Sequence, residues 1–265
     1  MREPDGGAQG LSGAMAPDEG TRRLELGTAV ILYDASRSSN LQPGWFDHAY
    51  WEQRAAVRGR AGGRGTTWFV AAPERQLALR HYRRGGWMAR LSADRYLFLG
   101  EARTRPVREW RVHVALHRAG LPVPEPVGVR LRRDGLFYQG DILTERLFDV
   151  QPLSARLQES ALSVSEWITI GRCLRRFHDF GLDHADLNAH NILCRGRDEV
   201  FLIDFDRGAL RAPGLWRDAN LVRLRRSLLK VTRPLPADRF SETDWHSLLA
   251  GYWAAGTLSS SAAPV

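Results

Sequence analysis

Asp186, Asn191 and Asp204 are the residues of this chain whose types and spacing suit chemistry. Asp186 lies in His184-Ala185-Asp186-Leu187-Asn188-Ala189-His190-Asn191; Asn191 follows five residues on, and Asp204 stands thirteen further in Val200-Phe201-Leu202-Ile203-Asp204-Phe205-Asp206. Phosphoryl transfer asks a protein for little covalent help. It needs a carboxylate beside the attacking hydroxyl and hard oxygen donors that hold Mg2+ against phosphates. Asp186 suits the first task, and Asn191 and Asp204 suit the second. Each half can arise by chance in loops and strand ends. Joined by a β-hairpin whose turn is Arg195-Gly196-Arg197-Asp198, they point to one site.

Several elements must position these residues. Ser163 and Glu166 form a capping-box pair opening a helix from Trp167 to Phe180, with Trp167, Ile170, Leu174 and Phe177 at core spacing, and this helix feeds the Asp186 loop. Upstream, strands are expected at Thr28 to Tyr33, Thr66 to Val70 and Gln76 to Tyr82. Pro43 opens a helix-like stretch to about Val57, and Gly59 to Gly65 is too glycine-rich to be regular. A helix follows from Thr104 to Gly120, with Glu109, Val112 and Leu116 on one stripe and Trp110 and Val114 on another. Arg130 to Tyr138 reads as a hairpin with an Asp134-Gly135 turn, its return strand ending in Leu143-Thr144-Glu145-Arg146-Leu147. Two further helices are expected, Leu215 to Val231 and Asp244 to Trp253, the second capped by Ser241 with Asp244. Residues 1–25 are expected to be a disordered extension, 26–146 an N-terminal lobe, 147–255 a C-terminal lobe and 256–265 a flexible tail.

Composition narrows the classes. The 265 residues are 43% hydrophobic, enough for a substantial core. Cys173 and Cys194, the two cysteines, sit in apolar segments, which argues against a disulfide framework or a zinc site. The amino end lacks the apolar core of a signal peptide, and no run approaches the length that spans a bilayer. Net charge is +8, and Lys230 is the only lysine, so the excess is guanidinium and favours phosphates or an anionic lipid surface. No basic recognition helix with base-reading residues stands out, so nucleic acid is not expected as a partner.

The Asp186 and Asp204 segments resemble the protein-kinase-like superfamily, and the remaining parts of such a site can be sought. The fold implied is α+β and bilobal, an antiparallel sheet with one main helix followed by a mainly helical lobe. Arg80 stands on the third strand where lysine is usual, and Glu109 stands at the helix position that holds that cation. An exposed strand arginine is the alternative reading of Arg80. Gly63 and Gly65 let backbone amides approach phosphate, and Thr66 or Thr67 adds a hydroxyl. His184 and His190 read as loop braces, or in a hydrolase as general bases or metal ligands, though their i, i+6 spacing does not suit one helix face. Asp206 reads as a second metal ligand or as a turn cap.

Closer still is a resemblance to the 3-deoxy-D-manno-octulosonic acid (Kdo) kinase family of Gram-negative bacteria, related to lipopolysaccharide core heptose kinases. It is carried by Gly63-Arg64-Gly65-Thr66-Thr67-Trp68-Phe69, Leu79-Arg80-His81-Tyr82-Arg83-Arg84-Gly85-Gly86, Gly120-Leu121-Pro122-Val123-Pro124-Glu125-Pro126, the Asp186 loop, Ile203-Asp204-Phe205-Asp206-Arg207-Gly208 and residues 220–230. The resemblance implies transfer of the γ-phosphate of ATP to the 4-hydroxyl of Kdo on a lipid A precursor. Asp186 would be the base, Asn191 and Asp204 the Mg2+ ligands, Arg80 and Glu109 a phosphate-neutralising pair, and the backbone around Thr144 to Leu147, Glu145 within it, the adenine reader. It also implies a peripheral protein at the cytoplasmic face of the inner membrane, which the Arg clusters beside Trp87 and Met88 suit; those two residues fit packing under the sheet equally well. The short segment between Asp206 and Leu215 leaves no room for a long activation loop. The competing readings are a kinase of another small acceptor, such as a core heptose or an aminoglycoside, and a membrane-associated pseudokinase. The pseudokinase reading is raised by the missing lysine and opposed by intact Asp186, Asn191 and Asp204.

Overall fold

A computed structural model describes residues 20–61, 67–83 and 94–257. Among them, eight strands form one antiparallel sheet, built from β1 (Thr21–Leu26), β2 (Ala29–Asp34), β3 (Val57–Ala61), β4 (Thr67–Ala71), β5 (Gln76–His81), β6 (Tyr96–Leu97), β7 (Pro126–Asp134) and β8 (Phe137–Glu145). Seven of them run in the order β1-β2-β7-β8-β5-β4-β3, and β6 pairs with β8. The β7/β8 hairpin turns at Asp134-Gly135, where Gly135 has φ +58°. That left-handed backbone is one glycine adopts without steric cost.

The alternation of side chains along β5 sorts the sheet's two faces. Leu77 and Leu79 pack with Trp45, Phe46 and Trp51, which lie on a 3-10 turn (Pro43–Phe46) and α1 (His48–Glu52). Tyr82 packs on the other face with Val107, Trp110 and Val114 of α2 (Arg105–Arg118). Both predicted stripes of α2 are buried. The Trp110 and Val114 stripe joins the sheet, while Val112 and Leu116 join the core of the second lobe. Helix α2 is therefore shared between the lobes.

The second lobe is mainly helical. Its chain runs through β9 (Gln151–Pro152), α3 (Leu153–Glu159), α4 (Val164–Phe180), β10 (Leu182–Asp183), β11 (Ile192–Arg195), β12 (Glu199–Leu202), β13 (Ala209–Leu210), α5 (Trp216–Thr232) and α6 (Glu242–Thr257). The expected capping box opens α4: the Ser163 hydroxyl accepts from the Glu166 N–H, and the Glu166 carboxylate accepts from the Ser163 N–H. The buried side chains include Trp167, Ile170, Leu174 and Phe177, as the spacing required. Helices α4 and α6 cross at two glycines. A Cβ on Gly171 would lie 2.0 Å from the Leu248 carbonyl oxygen, and one on Gly251 would lie 2.1 Å from that of Ile168, so only glycine permits this approach.

Three expectations need correction. The first strand begins at Thr21, inside the stretch expected to be disordered, and pairs residue for residue with β2. The helix-like stretch from Pro43 is broken: α1 stops at Glu52, Ala55 has φ +49°, and Val57 begins a strand. Gly59 lies within that strand, where it takes up a register shift against β4. Gly63, Gly65, Thr66, Trp87 and Met88 lie outside the described residues. Both cysteines are free and buried, and burial pushes their thiols up to about 12 for Cys173 and about 11 for Cys194.

Candidate active site

The site is assembled where α2, strand β5, the loop after β10 and the segment after β12 meet. Arg80, on β5, bridges two carboxylates. Its Nη2 bonds Glu109 of α2, and its Nη1 donates to Asp204 Oδ1 at 2.7 Å. Tyr82, two residues along the same face, donates to the other Glu109 oxygen. The exposed-strand reading of Arg80 thus gives way. Five N–H donors belong to a guanidinium, and the bonds to Glu109, Asp204 and, at 3.5 Å, the Tyr82 hydroxyl leave others for phosphate oxygens.

Electrostatics follow from this burial. Burial pushes the Glu109 carboxyl up to about 7, against the pull of Arg80. Burial also weighs against the Arg80 charge, but Glu109, the Tyr82 oxygen and Asp204 outweigh it and hold the guanidinium protonated. Asp204 is lowered below the ordinary carboxylate range because Arg80 overcomes its desolvation. Asp204 also has φ +67°, a conformation uncommon for a residue other than glycine.

Asp186 is presented by a loop with its own scaffolding. Ala185, before it, has φ +52°, and its N–H is shared by Asp183 Oδ1 and Asn220 Oδ1, each at 3.1 Å. Asn188 Nδ2 and Asn191 Nδ2 both donate to the Asp186 carbonyl, at 2.9 and 3.0 Å. The Asn191 carbonyl in turn accepts from the Ile203 N–H at 3.1 Å, which joins the Asp186 loop to the residue before Asp204. His184 Nε2 donates to the Ile203 carbonyl at 3.0 Å, and His190 Nδ1 bonds the Ser154 hydroxyl at 2.7 Å. Both histidines are braces. Among the described residues, no side chain bonds the Asp186 carboxylate, so it is open to an incoming hydroxyl.

The donor set fits Mg2+. Among the described residues no group of three or more His, Cys, Asp and Glu side chains could hold a metal by itself. Magnesium prefers one or two protein oxygens, with water and phosphate completing its shell. Asp204 offers a carboxylate. Asn191, whose NH2 serves the Asp186 carbonyl, offers its amide oxygen as a second donor.

Glu145 lies at the end of β8, opposite Leu77. Its carboxylate is 4.0 Å from Arg75 and does not join the Arg80 cluster, while its N–H donates to the Glu125 carbonyl at 2.8 Å.

Some site residues escape sequence reasoning. Arg105 forms a two-pronged pair with Asp206, Nε to Oδ1 at 2.8 Å and Nη2 to Oδ2, a partner that neither the turn-cap nor the metal reading of Asp206 foresaw. Phe205, between the two acids, is buried against His113 of α2 and His184 of the loop, with ring centroids 5.2 and 5.5 Å apart. His113, pushed down to about 4 by burial, bonds the Pro124 carbonyl at 2.7 Å. The signal for Arg105 lay in its spacing: Arg105 and Glu109 are four apart on one helix face, as Asp204 and Asp206 are two apart on one strand-like segment.

Comparison with known proteins shows the family. The model of the lipopolysaccharide kinase (Kdo/WaaP) family matches residues 48–252. A 3-deoxy-D-manno-octulosonic acid kinase of Vibrio vulnificus (strain CMCP6) is 40% identical over 228 residues, covering 86% of this chain and 96% of its own. Proteins of the same description from Stenotrophomonas maltophilia (strain K279a) and Xylella fastidiosa (strain M23) are 45% and 48% identical, covering 77% and 76% of this chain and 82% and 81% of theirs.

Proposed function

The chain belongs to the lipopolysaccharide kinase (Kdo/WaaP) family, and from that premise we propose that it is an ATP-dependent kinase phosphorylating the 4-hydroxyl of Kdo on a lipid A precursor. The observation that carries the reading is the Asp186 carboxylate, bonded by no described side chain and borne on a loop that Asn191 ties through the backbone to the segment carrying Asp204.

Asp186 orients the sugar hydroxyl and takes its proton as the oxygen bonds to phosphorus and the bond to the ADP oxygen breaks. Arg80, fixed by Glu109, offers its remaining N–H groups to the phosphate oxygens where charge develops. Asn191 and Asp204 would hold Mg2+, which when bound would neutralise phosphate charge. The main chain around Glu145 faces the adenine. Phe205 and His184 keep the Asp204 segment in register with the loop. The lipid-borne acceptor and the +8 charge support a peripheral place at the cytoplasmic face of the inner membrane.

The test is phosphate incorporation by purified protein given ATP, Mg2+ and a Kdo-bearing lipid A precursor, with the product's phosphate position assigned by NMR. Transfer to a heptose-bearing acceptor alone, or to another Kdo hydroxyl, would overturn the assignment. Asp186→Asn should abolish turnover and leave nucleotide binding and Tm near those of the parent; sustained turnover would remove Asp186 from its role as base.

A further inference from the structure

Helix α5 has two working faces. Its inner face holds the catalytic loop: Asn220, Leu221, Leu224 and Leu228 are buried. Asn220 accepts the Ala185 N–H and donates to Asp183 Oδ1 at 2.9 Å. Ser227 Oγ accepts the Ala189 N–H at 3.1 Å.

The outer face is of a different kind. Leu215, just before the helix, Val222 and Leu229 are 85%, 48% and 47% exposed. Spaced by seven, they fall on one stripe of roughly 21 Å at 1.5 Å per residue. Alongside run Arg223, Arg226, Lys230 and, just past the helix, Arg233, all exposed. None of these four side chains has an ion pair or hydrogen bond among the described residues. Arg225 differs, because it turns to Glu242 at 2.5 Å. The one acid on the helix is Asp218.

Exposed apolar side chains in single file beside unpaired cations make the pattern of a helix lying in a lipid interface, apolar stripe among the acyl ends and cations at the phosphates. We propose that this face of α5 is the surface by which the protein docks on an anionic bilayer. The inference rests on the reading of a lipid-borne acceptor. It adds that the helix seated on the lipid is the one that braces Asp186, which would bring an acceptor sugar just above the headgroups to the catalytic loop. Among the described residues no helix is long and apolar enough to cross a membrane, so contact of this kind is at the surface.

Full-length protein is sedimented with vesicles of phosphatidylglycerol and phosphatidylethanolamine, and with vesicles of phosphatidylcholine alone. Binding is expected to the anionic vesicles only and to weaken as salt is raised. The double variant Arg226→Gln/Lys230→Gln should bind about thirtyfold more weakly, at about 1 kcal/mol for each basic residue near the surface. Val222→Asn/Leu229→Asn should also weaken binding. Both variants should keep parental turnover on a water-soluble Kdo glycoside and lose it on vesicle-borne acceptor. Equal binding to neutral vesicles, unaltered binding by both variants, or attachment of the face to an acidic protein with no affinity for lipid would overturn the proposal. Failure here leaves turnover of the soluble acceptor intact, whereas failure of the proposed activity leaves α5-dependent vesicle binding intact.

Discussion

Replacing Arg80 by lysine tests whether the guanidinium fork, and not merely a positive charge, is what this site uses. Arg80 reaches Glu109 with one terminal nitrogen and Asp204 with the other. A lysine has a single nitrogen on its stem and can satisfy one of these well. Glu109 is the more deeply buried, its side chain 3% exposed against 37% for Asp204, so an unpaired Glu109 would carry the larger desolvation cost. In Arg80→Lys the ammonium should therefore stay with Glu109 and release Asp204. Loss of one hydrogen bond between charged groups is worth about 1.5–3 kcal/mol, which is roughly 10- to 150-fold in kcat/KM for ATP. Steady-state kinetics at saturating acceptor and Mg2+ would read this, with thermal unfolding alongside. The expected result is a large fall in kcat/KM with Tm shifted by only a few degrees. Parental kcat/KM in Arg80→Lys, or a loss confined to Tm, would refute the argument that the fork spans two carboxylates for the benefit of the site.

Other consequences can be measured directly. A double-mutant cycle on Arg105→Ala and Asp206→Asn should give a coupling of about 1–3 kcal/mol in unfolding, between the values of exposed and buried pairs, together with a raised KM for MgATP in each single variant. A coupling near zero would show that the pair is incidental. Glu109 rises from 4.5 to about 7 on folding, so its contribution to stability is complete below pH 4.5 and is lost as pH climbs through 7, to the extent of about 3 kcal/mol. Activity should move the opposite way, because the carboxylate that holds Arg80 forms only as pH rises. Glu109→Gln should flatten the stability change between pH 5 and 8 relative to the parent, and an unchanged slope would contradict the assignment. Gly171→Ala should lower stability by about 3 kcal/mol, seen as a Tm fall of roughly 6–12 °C, since the Leu248 backbone cannot yield. Helix propensity alone favours alanine by about 1 kcal/mol, so the sign of the change decides the matter.

What could be read from the sequence was mostly local. The capping box before α4, the Asp-Gly hairpin and the Asp186 to Asn191 spacing each operate within a few residues, and each appears in the structure where its signal lies. Strand β1 was hidden because Thr21-Arg22-Arg23-Leu24-Glu25-Leu26 leaves most of its side chains exposed, and its order comes from pairing with β2 rather than from an apolar face. Strand β3 was hidden for a related reason: Val57-Arg58-Gly59-Arg60-Ala61 is a largely exposed edge whose glycine suggested a loop. The Arg80 and Glu109 pairing was inferred from their order along the chain. The partners of Asp206, Ala185 and Ala189 come from residues 101, 35 and 38 positions away, and no short-range pattern announces such contacts.

Helix α2 meets the Asp204 to Asp206 segment at two places one turn apart, through Glu109 with Arg80 and through Arg105 directly. A beam pinned at one point can pivot about it; pinned at two, it cannot. Rotation of α2 about the first joint would pull Arg105 from Asp206, and sliding along its axis would strain both. The helix and the Asp204 to Asp206 segment are consequently tied so that they turn together.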